Sequence, residues 1–523
     1  MNDTAVSTGA ERLALRVLQL GAIAVVLAVS PRHIFDLDRF LVPKELALHA
    51  TALLGAIFGW RALRRITLTR VDKLLLGYLL LGALSALFAT NRWLGLRAFA
   101  VSASAVLILW LARGLSEAGL ARPLLSALAV AVVVAAVTSL LQAYGVRIDL
   151  FALNRAPGGT LGNRNFIAHA AAFGLPLVLL AALRARRFFL ASSGVAIVFA
   201  TLVLTRSRAA WLASAAMLLV FFVALLASAP LRRDGRTWRR LFGIVLFAAG
   251  GVAAALLIPN ALHWRSENPY LESVKGVANY EKGSGHGRLV QYRNSLFMAL
   301  RHPIFGVGPG NWPVEYPRHV KAGDRSLDPS DPGMTFNPWP SSDWVAFVAE
   351  RGIAATLFLA LAFLGILAAA FRRLRAAADA DEGLLAATLL ATLTAAAVAG
   401  FFDAVLLLAL PSLIVFATIG ALWPPPAPVG GQAPSPVLFA LILGALIGAY
   451  RSSAQIVAME IFATNGDRAS LERAAKIDPG NYLVQMRLAR RAPRKSRCAH
   501  ALAARDLYPL AQAARDVSRP CRE

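Results

Sequence analysis

Residues 188–228 read FFLASSGVAIVFATLVLTRSRAAWLASAAMLLVFFVALLAS, two uncharged apolar runs joined by a turn that holds Arg206 and Arg208. A helix needs about 20 apolar residues to cross the hydrocarbon core of a bilayer, and each run is close to that length. Only helices and closed barrels satisfy their own backbone hydrogen bonds in lipid. Barrel strands alternate in polarity over about ten residues, whereas these runs are continuous and rich in Ala and Leu. The stretch predicts two membrane helices back to back.

The same pattern recurs along the chain. Thirteen candidate spans lie near 13–30, 45–60, 73–89, 97–114, 123–144, 165–183, 188–204, 209–228, 240–258, 344–371, 384–402, 403–423 and 436–453. The two on either side of Asp403 are short enough to be re-entrant. The first run lacks a convincing small-residue cleavage site, so it reads as the first helix rather than a signal peptide. Of 523 residues, 57% are hydrophobic and 16% charged, against about 25% charged in a soluble domain. Mean hydropathy is +0.59. The expected fold is all-α, a polytopic membrane protein with about 12–13 helices, a large external loop and a small helical C-terminal tail.

Net charge is +25, but Lys and Arg concentrate in short loops between apolar runs. That is the pattern of membrane topology rather than of a nucleic-acid surface. With the N-terminus cytoplasmic, the inside loops hold five basic residues in Arg61–Lys73, three in Arg184–Arg187, five in Ala229–Arg240 and three in Arg372–Arg375. Short loops on the other side are leaner, with two in Asn91–Arg97. This parity puts 259–343 and the tail outside, which is the periplasm of a Gram-negative cell. The expected division is a membrane domain at 1–454 and a tail at 455–523. In the tail, Ala474-Ala475-Lys476-Ile477-Asp478-Pro479 and Ala503-Ala504-Arg505-Asp506-Leu507-Tyr508-Pro509 repeat an Ala-rich helix ending in proline. They resemble a degenerate tetratricopeptide pair, with a simple helical hairpin as the alternative. Two repeats are too few to stand alone, so the membrane domain or a protein partner must help bury them. Cys498 and Cys521 are the only cysteines, and an outside tail permits their pairing.

Polar residues of the outside face are the candidates for chemistry. Gly158-Gly159-Thr160-Leu161-Gly162-Asn163-Arg164-Asn165 opens the sixth span. Its glycines permit tight turns. Arg164 and Asn165 suit an anionic or sugar ligand, unless the segment merely starts a helix. Arg206 and Arg208 lie where positive charge is least expected, and arginine suits bidentate phosphate recognition. The bland alternative is an interfacial arginine reaching for headgroups. The long loop adds Gly283-Ser284-Gly285-His286-Gly287-Arg288. It also adds His302, which reads as scaffold among glycines and prolines, and His319. Glu350 and Arg351 enter the tenth span early, where ionisable groups usually line a polar cavity. No metal-ligand spacing occurs.

Five motifs in order, GTLGNRNF (159–166), TRSRAAWL (205–212), GRLVQY (287–292), HPIFGVGPGNW (302–312) and SSDWVAFVAERGI (341–353), resemble the O-antigen ligase and polymerase superfamily. The resemblance covers roughly 155–425. It implies an inner-membrane, metal-independent glycosyltransferase without a cofactor. Such an enzyme moves a glycan from undecaprenyl pyrophosphate to lipid A–core, to another glycan or to a protein hydroxyl. A pyrophosphate leaving group without a metal needs cations where charge develops. Arg208 is the first choice, then Arg288 and Arg206, with Arg164, Asn165, His286, His319 and Glu350 as further substrate contacts. The family's His-Asn-Asp-Tyr-Leu-like stretch falls on Ser341, Ser342 and Asp343, so only the aspartate is kept. Serine cannot act as a general base at neutral pH. Asp343 as base or orienter, a substitute loop histidine, a polymerase-like branch and loss of activity all stay open. The other role open to Asp343 is to cap the tenth helix. Rival classes are a protein O-oligosaccharyltransferase, a lipid-linked glycan transporter and a non-catalytic membrane scaffold.

Overall fold

The computed structural model describes residues 7–35, 37–153, 155–264, 266–276, 283–321, 323–423 and 435–521. The first half comprises α1 (Gly9–Leu27), α2 (Asp38–Phe58), the short α3 (Trp60–Arg65), α4 (Arg70–Phe88), α5 (Arg92–Glu117), α6 (Ala121–Ala143), α7 (Arg164–Arg184), α8 (Phe188–Thr205) and α9 (Arg208–Ala227). After the short α10 (Ala229–Arg233) and α11 (Gly235–Leu257), the long loop folds α12 (Pro269–Lys275), α13 (Gly283–Arg301) and α14 (Trp312–Glu315). Then come α15 (Asp343–Arg375), α16 (Ala380–Phe402), α17 (Ala409–Leu422) and α18 (Ser435–Thr464), and in the tail α19 (Arg468–Ile477), α20 (Tyr482–Arg491), α21 (Arg494–Leu507) and α22 (Gln512–Ser518).

Each of the thirteen expected spans is a helix, and the described chain is an all-α polytopic membrane protein. Eleven of the described helices are long and apolar enough to cross a membrane. Helix α1 falls outside that set because Glu11, Arg12 and Arg16 occupy its first half. Helix α17 has 14 residues, about 21 Å at 1.5 Å per residue, short of a hydrocarbon core of about 30 Å. Helix α7 is the axle of the bundle. Its most apolar window is 94% buried, because α6, α8, α9 and α16 all pack around it. Whatever stands at its N-terminus is therefore held rigidly.

Helix α15 is broken on purpose. Gly352 has φ +82°, and a Cβ there would stand 2.1 Å from the carbonyl oxygen of Ile304. Backbone groups freed by a break at this depth need protein partners, and the 303–308 segment supplies them. The Val307 N–H donates to the Ala349 carbonyl, that of Gly308 to Glu350, and that of Ile353 to Pro303, each at 2.9 Å. The Ser85 hydroxyl adds a 3.0 Å bond to the Glu350 carbonyl. HPIFGVGPGNW is thus a plug that repairs an interrupted membrane helix.

The tail forms two helical hairpins, α19–α20 and α21–α22, turning at Pro479 and Pro509. They pack against the membrane part and the loop. Arg451 pairs with Asp478 at 2.7 Å, both buried, and the Asn91 amide donates to the Leu507 carbonyl at 3.2 Å. The Gln512 N–H donates to Pro332 of the loop at 2.8 Å. A Cys498–Cys521 disulfide joins α21 to the residues after α22.

Candidate functional site

Two adjoining cavities open at the loop end of the bundle. The first, about 480 Å³, is lined by Arg155, Arg288 and Arg325, with Asn165, Ser341 and Asp403. The second, about 700 Å³, is lined by Arg147, Arg155, Arg164, His263 and Trp264, among others. Arg155, Asn163 and Asn165 line both and form the shared wall.

The glycine-rich segment builds that wall. Gly159 (φ +50°) and Gly162 (φ +80°) sit where a Cβ would stand 2.4 Å from the Thr138 hydroxyl and the Phe40 ring, respectively. Only glycine combines that conformation with that approach. The Gln142 side chain accepts the Gly159 N–H at 2.8 Å, and the Ser139 hydroxyl donates to the Pro157 carbonyl at 2.7 Å. Asn163 then caps α7 by accepting the Asn165 N–H at 3.0 Å. The segment both starts a helix and places Asn165 at the cavities.

GRLVQY explains itself on α13. Arg288 and Gln291 face the first cavity. The Gln291 side-chain oxygen accepts the Ser341 N–H at 2.6 Å. The Tyr292 hydroxyl lies within hydrogen-bond reach of the Ser341 carbonyl at 2.6 Å and of Phe401 at 2.7 Å. One loop helix thereby fixes Ser341 and the end of α16 around the cavity.

Asp343 lies behind this wall. It is fully buried, and its carboxylate accepts the N–H groups of Val405 at 2.9 Å and Leu406 at 3.0 Å. Ser342, not Asp343, caps α15, accepting the Val345 N–H. Asp343 therefore braces the turn that follows Asp403. Asp403 is the sole carboxylate among the described residues lining the first cavity. One of its oxygens accepts the Ala404 N–H at 2.9 Å, and the other stands 3.7 Å from Nδ1 of His169. His169 is fully buried on α7, and neither ring nitrogen has a hydrogen-bond partner.

The arginine turn grips α12. Arg206, in the left-handed region at φ +52°, donates from Nε to the Ser273 hydroxyl at 2.9 Å, and Arg208 donates to the Gly276 carbonyl. The guanidiniums of Arg206 and Arg164 lie 4.6 Å and 5.1 Å from the centre of the Trp264 ring. Arg164 lines the second cavity, while Arg206 and Arg208 are among the lining residues of neither. His286 is exposed on the first turn of α13, one residue from the lining Gly287. His319 lines neither cavity and lies near Arg301 and His302; burial, and then the Arg301 guanidinium, hold its imidazole below the usual pKa. Glu350 is buried and accepts the Trp312 N–H at 3.3 Å, which fastens the plug rather than facing a cavity. His302 follows α13 as the first residue of that plug, its N–H donating to Ala299 at 3.1 Å and its carbonyl accepting the Gly306 N–H at 2.9 Å.

Arg155, Arg325, His169 and Asp403 were not picked out from the sequence. The signal for two of them was present. His169 is the only ionisable residue in the sixth span, and Asp403 the only one between 384 and 423. Such residues inside apolar helices mark functional sites. Arg155 and Arg325 sit in loops with nothing to distinguish them.

The fold and site define a multi-pass membrane protein with an arginine-lined cavity roofed by the loop between α11 and α15. Residues 193–360 match the family model described as O-antigen ligase, which supports the resemblance to the O-antigen ligase and polymerase superfamily. The match runs from α8 through the arginine turn and the loop to the middle of α15, and ends before Asp403. No curated protein matches the chain. The chain thus carries an O-antigen ligase-type domain for processing glycans at a membrane, which points to a glycosyltransferase-type enzyme.

Proposed function

We propose that the chain transfers a glycan from a polyprenyl-pyrophosphate donor in the inner membrane to a hydroxyl of an acceptor. Transfer would take place on the outer face, by ligation to lipid A–core or by polymerisation. The observation that carries this reading is the first cavity, where Arg155, Arg288 and Arg325 surround one carboxylate, Asp403. The acceptor oxygen forms a bond to the anomeric carbon and gives its proton to the Asp403 carboxylate. The bond from that carbon to the diphosphate oxygen breaks, and the diphosphate leaves with the electron pair. Arginines fixed beforehand around it stabilise the growing charge without reorganising. No step is routed through a metal.

Asp403 fills the place left by the family histidine. Ser341, which stands at that position, lines the same cavity and is clamped by Gln291 and Tyr292. His169 at 3.7 Å would share the proton taken up by Asp403. Asp343 acts through the 403–406 turn and is a positioning residue in this scheme. Arg206 and Arg208 hold α12, and Arg206 also lies over Trp264 of the second cavity, where Arg147 and Arg164 await an anionic part of donor or acceptor.

The test is polysaccharide profiling by gel in a deletion strain. Wild type should restore the ladder and Arg288→Ala should not, at equal membrane levels. Loss of chain length identifies a polymerase. A bare core with polymer retained on its carrier identifies a ligase. An unaltered profile with Arg288→Ala and Asp403→Asn would sink the transferase reading and favour a transporter or scaffold.

A further inference from the structure

The helices that carry the cavities at one end enclose a different space at the other. Between α6, α7, α8 and α16 lies an apolar cavity of about 710 Å³, walled by residues such as Ala129, Val133, Val178, Ala191 and Ile197. Its rim is Arg122 at the start of α6, Arg184 at the end of α7, Arg187 ahead of α8, and Asp381 at the start of α16. In the orientation expected from the basic loops, this rim lies at the cytoplasmic leaflet. A space this large between membrane helices is filled by hydrocarbon, since water finds no partners on such walls.

The rim decides which hydrocarbon. Three arginines face one aspartate. Asp381 is shared by Arg122 at 2.7 Å and by Arg184, and Arg184 also lies 3.6 Å from Asp234. Arg187 makes no ion pair among the described residues. The rim therefore keeps a surplus of positive charge at headgroup height. Helix α8 begins beside it with no side chain capping its first N–H groups, which adds to the pull on an anion. Basic clefts between membrane helices at the cytoplasmic side suit anionic headgroups.

We propose that this cavity is a binding site for an anionic phospholipid of the bilayer. Its acyl chain lies between α6 and α8, and its phosphate is held by Arg187 and Arg122. The lipid wedges the helices that carry His169 and lead to Asp403, without touching either residue.

The test uses the full-length chain in mild detergent, delipidated and then offered an equimolar mixture of phosphatidylglycerol and phosphatidylcholine, with bound lipid read by native mass spectrometry. Wild type should retain phosphatidylglycerol about fivefold or more over phosphatidylcholine, given about 1 kcal/mol per basic residue at an anionic surface. The double variant Arg122→Gln/Arg187→Gln should bring the ratio near one. Arg186→Gln, a neighbouring exposed arginine that does not line the cavity, should leave it unchanged. Ala191→Trp, which fills the apolar wall, should remove both lipids. Equal retention of the two lipids by wild type overturns the proposal. So does an undiminished preference in the double variant, or a filling variant that instead splits a dimer of this chain.

Discussion

The 303–312 plug and the wall around Ser341 and Asp403 both gather polar and glycine residues at the loop end, yet they spend them differently. In the plug, backbone donors are consumed by the break in α15, and the buried Glu350 carboxylate is consumed by Trp312. In the wall, Asn165, Arg288 and Asp403 keep faces turned to open space. Conspicuous motifs can thus be scaffold, while a lone carboxylate at a helix end faces the open cavity. Whether a polar group is already satisfied separates the two.

This contrast can be broken by experiment. Arg288→Ala should lower transfer about 100- to 1000-fold, the loss usual for one preorganised charge-stabilising donor. An in vitro assay with a lipid-linked donor at equal protein would measure it, and a loss below tenfold would move the leaving-group site elsewhere. Asp403→Asn should cost about 100-fold, within the range for a general base, with an unchanged melting temperature. Asp343→Asn should lower activity and melting temperature together, because it leaves an amide group facing the Leu406 N–H; activity loss at full stability would make Asp343 the base instead. Gly352→Ala should destabilise the fold by about 1–3 kcal/mol or more, the cost of a strained backbone, read as lower membrane abundance and melting temperature. The smallest effect is expected from His319→Ala, within about twofold of wild-type transfer. Complete loss there would return the base to the loop and erase the distinction between plug and wall.

Apolar run length made the helices legible, since lipid allows the backbone few choices. All thirteen spans fall on helices, including the short α17, although α2 begins seven residues earlier and α18 runs eleven residues further than the apolar runs indicate. Some of the motif residues gather where the two cavities open. Arg288 and Asn165 reach the first cavity, and Arg164 the second. Arg206, Arg208, His319 and Glu350 look equally suitable in sequence, because a string of residues does not say which partner each one meets.

Sequence alone determined that the chain is an all-α membrane protein, because hydropathy acts locally along the chain. Only the tertiary structure brought Arg155 from one loop, Arg288 and Arg325 from another, and Asp403 from the end of α16 around one space. It also turned Asp343 inward onto the amides of 405 and 406. These residues are far apart in the chain, and their proximity comes from helix packing around α7, which no local pattern encodes.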